Sequence, residues 1–122
     1  MMSEITSTMF VIAVNDLMAT AVYYRDVLGF TVREIGDDGW RIFQKDSCEI
    51  MAGHCADATP ARELGDHSYF AYVRMDEIDE YYAQVATNGA RILKKPRSEP
   101  WGMREFALQT IDGHRMTFGA PI

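Results

Sequence analysis

A repeat constrains this chain more than any other feature. The apolar, β-branched run Met9-Phe-Val-Ile-Ala-Val14 ends at Asn15-Asp16, residue types that cap helices. Leu17, Ala21, Tyr24 and Leu28 then recur at helical spacing, and Gly29 stands where a left-handed C-cap belongs. The same order returns later. Tyr69 to Met75 reads as a strand, Asp76 as an N-cap, Ile78, Tyr82 and Val85 as one helix face, and Asn88-Gly89 as the stop. An offset of 61 residues carries Leu17, Ala21 and Tyr24 onto Ile78, Tyr82 and Val85. Strand-like segments follow each helix: Phe30 to Glu34, Trp40 to Gln44 and Ser47 to Ala52, then Ala90 to Leu93, Arg104 to Gln109 and His114 to Gly119. Asp37-Asp38-Gly39, Lys45-Asp46 and Asp112-Gly113 supply the turns. The expected class is α+β: two tandem βαβββ modules forming a curved mixed sheet around a cleft, with helices on the convex side. The chain is one domain, 1–122, with module one at about 8–53 and module two at about 68–120. The polar stretch from Gly53 to His67 has the composition of a plain connector and the length of a functional loop.

Bulk properties agree with a single globular core, since 122 residues with 48% apolar and 25% charged content lie near the averages for such domains. Apolar runs fall far short of the ~20 residues of a membrane span, so no membrane partner is expected. Met1 to Thr8 lacks the basic start and apolar core of an export signal. Cys48 and Cys55 read as reduced thiols. The expected compartment is the cytoplasm. A net charge of −6 argues against nucleic acid, and the basic cluster Arg91 to Arg97, with Lys94 and Lys95, reads as solvated surface. The acidic balance leans toward cationic ligands.

Within the paired modules, Val14-Asn-Asp-Leu17, Tyr23-Tyr-Arg-Asp-Val-Leu-Gly-Phe30 and Asp112-Gly113 resemble the vicinal oxygen chelate superfamily. That superfamily includes glyoxalase I, extradiol dioxygenases, fosfomycin resistance enzymes and bleomycin resistance proteins. Pro100-Trp-Gly-Met-Arg-Glu-Phe-Ala-Leu108 and Asp112-Gly-His-Arg-Met-Thr-Phe118 resemble the C-terminal segment of the bleomycin resistance branch, departing from it at Thr110-Ile111, where Asp-Pro is usual. The resemblance implies metal-ligand positions in the first and last strands of each module. Counting from the helix starts places Met9 and Phe70 at the two histidine positions, and Glu49 and Thr117 at the two carboxylate positions. One carboxylate cannot hold a divalent ion that needs about three N or O donors. Neither a metal nor another cofactor is expected. His54, Cys55, His67 and His114 show no spacing that would converge them into a zinc set.

Strand alternation gives the cleft lining. If Phe10, Ile12 and Val14 lie under the first helix, then Met9, Val11 and Ala13 face the cavity. Phe70, Tyr72 and Arg74, Ser47, Glu49 and Met51, and Arg115 and Thr117 join them by the same parity. Phe70 and Tyr72 suit core packing equally well. Glu49 in an apolar concavity needs a partner, whether Arg74, Arg115 or a cationic ligand. Trp101, in a Pro-Trp-Gly loop, is either a stacking platform at the cleft mouth or a lid on the core, and Trp40 could stack from the other side. Arg104 and Glu105 read as bridging each other. The candidate ligand-binding set is Met9, Trp40, Glu49, Met51, Phe70, Tyr72, Trp101 and Thr117. No nucleophile with an activating base is visible, so no catalytic residue is assigned. The expected function is binding of an aromatic or cationic small molecule without metal, by a homodimer of the bleomycin resistance type. The alternative is a metal-dependent lyase, isomerase or dioxygenase using non-equivalent ligands such as Glu49, His54 and His114.

Overall fold

The computed structural model describes residues 3–67 and 69–122. The chain runs β1 (Phe10–Val14), α1 (Leu17–Asp26), β2 (Thr31–Glu34), β3 (Trp40–Lys45) and β4 (Cys48–His54). A 3-10 helix (Ala61–His67) leads into β5 (Tyr69–Arg74), α2 (Ile78–Thr87), β6 (Arg91–Ser98), β7 (Met103–Gln109) and β8 (Arg115–Pro121). The duplication is complete at the level of topology. One four-stranded sheet has the order β1-β4-β3-β2 and the other β5-β8-β7-β6. In each, the first and last strands of the module pair in parallel and the remaining pairs are antiparallel.

Local chemistry explains the first module well. The Asp16 side chain accepts from the Ala19 amide at 3.1 Å and caps α1, and Gly29, at φ +79°, lets the chain leave the helix. Ile12 and Val14 are buried under α1, and Tyr24 stacks on Phe43 with ring centroids 4.4 Å apart. In module two, Phe106 of β7 and Phe118 of β8 stack on each other at 5.0 Å.

The two modules meet through their helix-covered sides. The Thr20 hydroxyl lies 2.9 Å from both carboxylate oxygens of Asp112. Tyr81 donates its hydroxyl to the Leu28 carbonyl at 2.7 Å, and Asn88 donates its amide to the Val27 carbonyl at 3.2 Å. Thr20 and Tyr81, like Val27 and Asn88, are related by the repeat offset, so each module reaches into the other from matching positions. One hydrophobic cluster spans both modules. With the helix sides turned inward, the helix-free faces are left open: Val11 is 60% exposed and Tyr72 44%.

Several expectations need correction. Glu77, not Asp76, occupies the N-cap of α2, in the left-handed region at φ 48°, and no side chain caps the helix. The buried stripe is Ile78, Tyr81 and Val85, while Tyr82 is half-buried with its ring 5.5 Å from Phe106. β6 extends past Leu93 to Ser98 through Pro96, which an edge strand with broken register tolerates. The 53–67 stretch is partly ordered, since β4 includes His54 and the 3-10 segment bends at Gly65, φ +74°. Among the described residues no helix is long and apolar enough to cross a membrane. The side chain of His67 lies outside the described part of the chain.

Candidate functional site

On the helix-free face of module two, cross-strand pairing sets Glu105 beside Gly119, and Ala107 beside Thr117, which in turn pairs with Tyr72. Glu105 is 6% exposed. Its carboxylate gathers three donors: the Tyr72 hydroxyl at 2.7 Å, the Trp101 indole N–H at 3.0 Å and Lys94 Nζ at 3.1 Å. Lys94 also contacts Glu99 Oε1 at 2.8 Å, and Arg97 Nε reaches the same oxygen at 2.9 Å. A Cβ at Gly119 would run into the Tyr72 hydroxyl, so only glycine lets the phenol cross this strand.

Electrostatics fixes the protonation states of this hub. Desolvation pushes Glu105 upward, but the bonds from Trp101, Tyr72 and Lys94 outweigh it and hold the carboxyl below its usual range. Tyr72 is pushed up to about 12 by desolvation and by its bond to Glu105, so it acts as a donor at neutral pH. Desolvation works against the Lys94 charge, yet Glu99 and Glu105 raise its pKa overall. An anchored carboxylate thus holds two aromatic side chains. One of them, Trp101, remains 63% exposed, with Lys94 Nζ 5.8 Å from its ring centroid.

The helix-free face of module one is plainer. Trp40 lies across Gly53, where an added Cβ would come within 2.8 Å of the indole ring. Val11, Ala13, Trp40 and Gly53 line a depression of about 320 Å³, with His54 and Cys55 also in its wall. Met51 pairs with Val11 and Ile42 and therefore shares this face. Glu49 finds its partner in Arg33 at 3.3 Å, neither Arg74 nor Arg115.

Of the residues expected to line a cleft, Tyr72 and Trp101 are joined through Glu105, with Thr117 paired beside Tyr72. Trp40, Met51 and Glu49 belong to the other sheet, and Met9 is exposed just before β1. Phe70 sits at a register break between Tyr69 and Ala71, packed edge-on between Phe10 at 5.9 Å and His114 at 5.5 Å. Register also revises the module correspondence. Val11 pairs with Met51 and Tyr72 with Thr117, so Met51 is the counterpart of Thr117, and Glu49 that of Arg115. Glu105 and Lys94 are the residues that sequence reasoning missed. Adjacent strand residues point to opposite faces: Arg104 reaches Asp79 at 2.9 Å, whereas Glu105 turns to the helix-free side. Lys94 likewise leaves the solvated cluster for the hub.

A divalent metal does not suit these positions. A thioether at Met9 and a phenyl ring at Phe70 offer no hard donor, and Glu49 is engaged by Arg33. Glu49 and His54 differ in parity along β4 and so project to opposite faces, while His114 packs on Phe70 in the other sheet. Among the described residues no group of three or more His, Cys, Asp or Glu side chains is placed to hold a metal ion.

No curated protein matches the chain. Similar solved structures include a bleomycin resistance determinant encoded on the transposon Tn5, at 23% identity and TM-score 0.80, covering 96% of this chain and 98% of that one. An antibiotic-binding protein from Streptomyces sp. CB03234 matches at 18% identity and TM-score 0.79, covering 100% of both chains. A glyoxalase-related enzyme from Clostridium phytofermentans matches at 17% identity and TM-score 0.78, covering 98% of each. These likenesses establish a shared fold. The family model described as Glyoxalase/Bleomycin resistance protein/Dioxygenase superfamily matches residues 6–118, and the chain belongs to that superfamily.

Proposed function

We propose that this protein binds an aromatic or cationic organic molecule without metal and acts by sequestering it, as the names of its bleomycin resistance and antibiotic-binding structural relatives suggest. The observation that carries this reading is the pair of exposed aromatic rings, Trp101 and Tyr72, tethered to one buried carboxylate. Such a surface supplies aromatic stacking area held in a fixed orientation, which a planar organic ligand needs. The working unit is a homodimer. Each chain leaves two helix-free faces open, and pairing module one of one copy with module two of another would close two clefts, each with Trp40 on one wall and Trp101 on the other. The two free thiols fit a reducing, cytoplasmic setting.

The test uses protein purified without chelator, titrated with bleomycin and with ethidium as a plain planar cation while tryptophan emission is followed. Saturable quenching at one ligand per chain is expected, weakened at least tenfold, about 1.4 kcal/mol, by Trp101→Phe. Light scattering should give the mass of two chains. Stoichiometric zinc, nickel, manganese or iron in the purified protein would overturn the metal-free reading, and absence of saturation with every probe would overturn sequestration.

A further inference from the structure

An open cavity at the module junction lies on the helix side of the fold. It measures about 410 Å³ and is bounded by Tyr23 and Val27 of α1, Arg62 of the 3-10 segment, Arg91 at the start of β6, and Gln109 and Ile111 near the end of β7. In a chain of net charge −6, no carboxylate among the described residues lines it. Arg25, Arg33, Arg41, Arg97 and Arg104 each pair with an acidic side chain, whereas among the described residues no acidic side chain pairs with Arg62, Arg74, Arg91 or Arg115, and of these four Arg62 and Arg91 stand together in this wall. Arg62 is held in the wall by close packing of its backbone on Gly113, where a Cβ would collide with it.

The space continues into a furrow of about 500 Å³ along the outer side of α1. The two share Tyr23, Val27 and Ile111, and the furrow adds Met18, 67% exposed, and Val22, 45% exposed. Asp16 and Asp26 border this furrow but are engaged, the first capping Ala19 and the second paired with Arg25. Asp112, which feels the Arg62 charge, turns its oxygens to Thr20. Two guanidinium groups at one end of an apolar trough complement one kind of ligand. We propose that the junction is a second site, distinct from the helix-free faces, for an organic oxyanion with an apolar tail. Its carboxylate or phosphate lies between Arg62 and Arg91, and its chain runs over Val27, Ile111 and Val22. Guanidinium forks match both head groups. The Tyr23 hydroxyl makes only a long 3.5 Å bond to the Gln109 carbonyl and is a third donor at the rim. Burial, with the Asp112 charge second, pushes Tyr23 up to about 12, so it keeps its proton at neutral pH.

The full-length protein is titrated by calorimetry with octanoate, octyl phosphate, acetate and octanol. Saturable binding of octanoate or octyl phosphate is expected, at least tenfold tighter than acetate or octanol, with the tighter of the first two naming the head group. Arg62→Gln with Arg91→Gln should weaken that binding at least tenfold, and Val22→Ser severalfold. Both arginines are exposed, so an unchanged thermal midpoint should confirm that the double variant folds. Trp101→Phe should leave octanoate binding unaltered, which separates this site from the face proposed for sequestration. Failure of both amphiphiles to saturate, equal affinity for acetate, or undiminished binding in the double arginine variant would each overturn the proposal.

Discussion

The helix-free faces of the two modules solve one geometric problem in the same way and then diverge in chemistry. Each has a glycine in the last strand of its module: Gly53 pairs with Ala13 and Gly119 with Arg74, positions one repeat apart. Each glycine makes room for an aromatic side chain from a neighbouring strand, Trp40 in module one and Tyr72 in module two. Trp40 is surrounded by Val11 and Ala13, whereas Tyr72 is tied to Glu105 and, through it, to Trp101 and Lys94. Module one therefore offers an apolar wall whose ring can adjust, and module two a wall whose rings are fixed in advance by hydrogen bonds. Duplication kept the backbone device and left the side-chain chemistry free to specialise.

The sharpest way to break this contrast is to remove the charge at its centre. Glu105→Gln leaves Lys94, Tyr72 and Trp101 facing a weaker, partly mismatched acceptor. It should cost about 2 kcal/mol in urea unfolding, because a buried carboxylate with charged and neutral donors is being disconnected. Glu49→Gln, which disturbs only the open pair with Arg33, should cost about 0.5 kcal/mol or less. Equal costs would erase the distinction between the faces. The glycines give the next effect. Gly119→Ala must displace a tethered phenol and should cost about 1–2 kcal/mol. Gly53→Ala displaces the edge of a half-exposed indole that can swing outward, so about 1 kcal/mol or less is expected, with a change in near-ultraviolet dichroism from Trp40.

How much of this was legible depends on which periodicity carried it. The fold was, because helix spacing in Leu17, Tyr24 and Leu28 and its return at Ile78 and Val85 are local signals. Tyr81 was not: Tyr81 and Tyr82 stand three and four residues after Ile78 and so share its side of the helix, and spacing alone does not say which of the two turns fully inward. The Glu105 hub was half legible. Alternation along β7 separates Arg104 from Glu105, but the approach of Lys94 depends on irregular pairing between β6 and β7, and the Trp101 contact on a loop geometry that no period encodes. Phe70 shows the converse, since a register break in β5 removes it from the face that simple parity assigns.

The junction offers a test in which the modules should behave alike. Thr20→Val removes the hydroxyl that faces Asp112, and Tyr81→Phe removes the bond to the Leu28 carbonyl, each at a position equivalent in the repeat. Each change should cost about 1 kcal/mol, and the double variant about the sum, because the two bonds share no partner. A cost confined to one variant would mean that the junction is as asymmetric as the faces.

The smallest expected effect separates the modules again and concerns pH. His114 packs against Phe70, with Nδ1 buried and without a hydrogen-bond partner among the described residues, and burial lowers its pKa from 6.5. The folded state therefore holds the ring neutral at a pH where the unfolded chain already takes up a proton. Below about pH 6.5 the unfolded state binds more protons, so stability is fully present above that value and declines as pH falls through it. Asp112 has the opposite sign, since burial raises its carboxyl and it gains stability as pH falls, whereas Glu99, held by Lys94, and Glu105 are lowered and lose stability as pH falls. Thermal midpoints compared at pH 7.5 and 5.5 should fall by a few degrees in the natural chain and by less in His114→Gln. Equal declines would assign the pH dependence to other groups and leave the rim of module two no more sensitive to protons than its apolar counterpart.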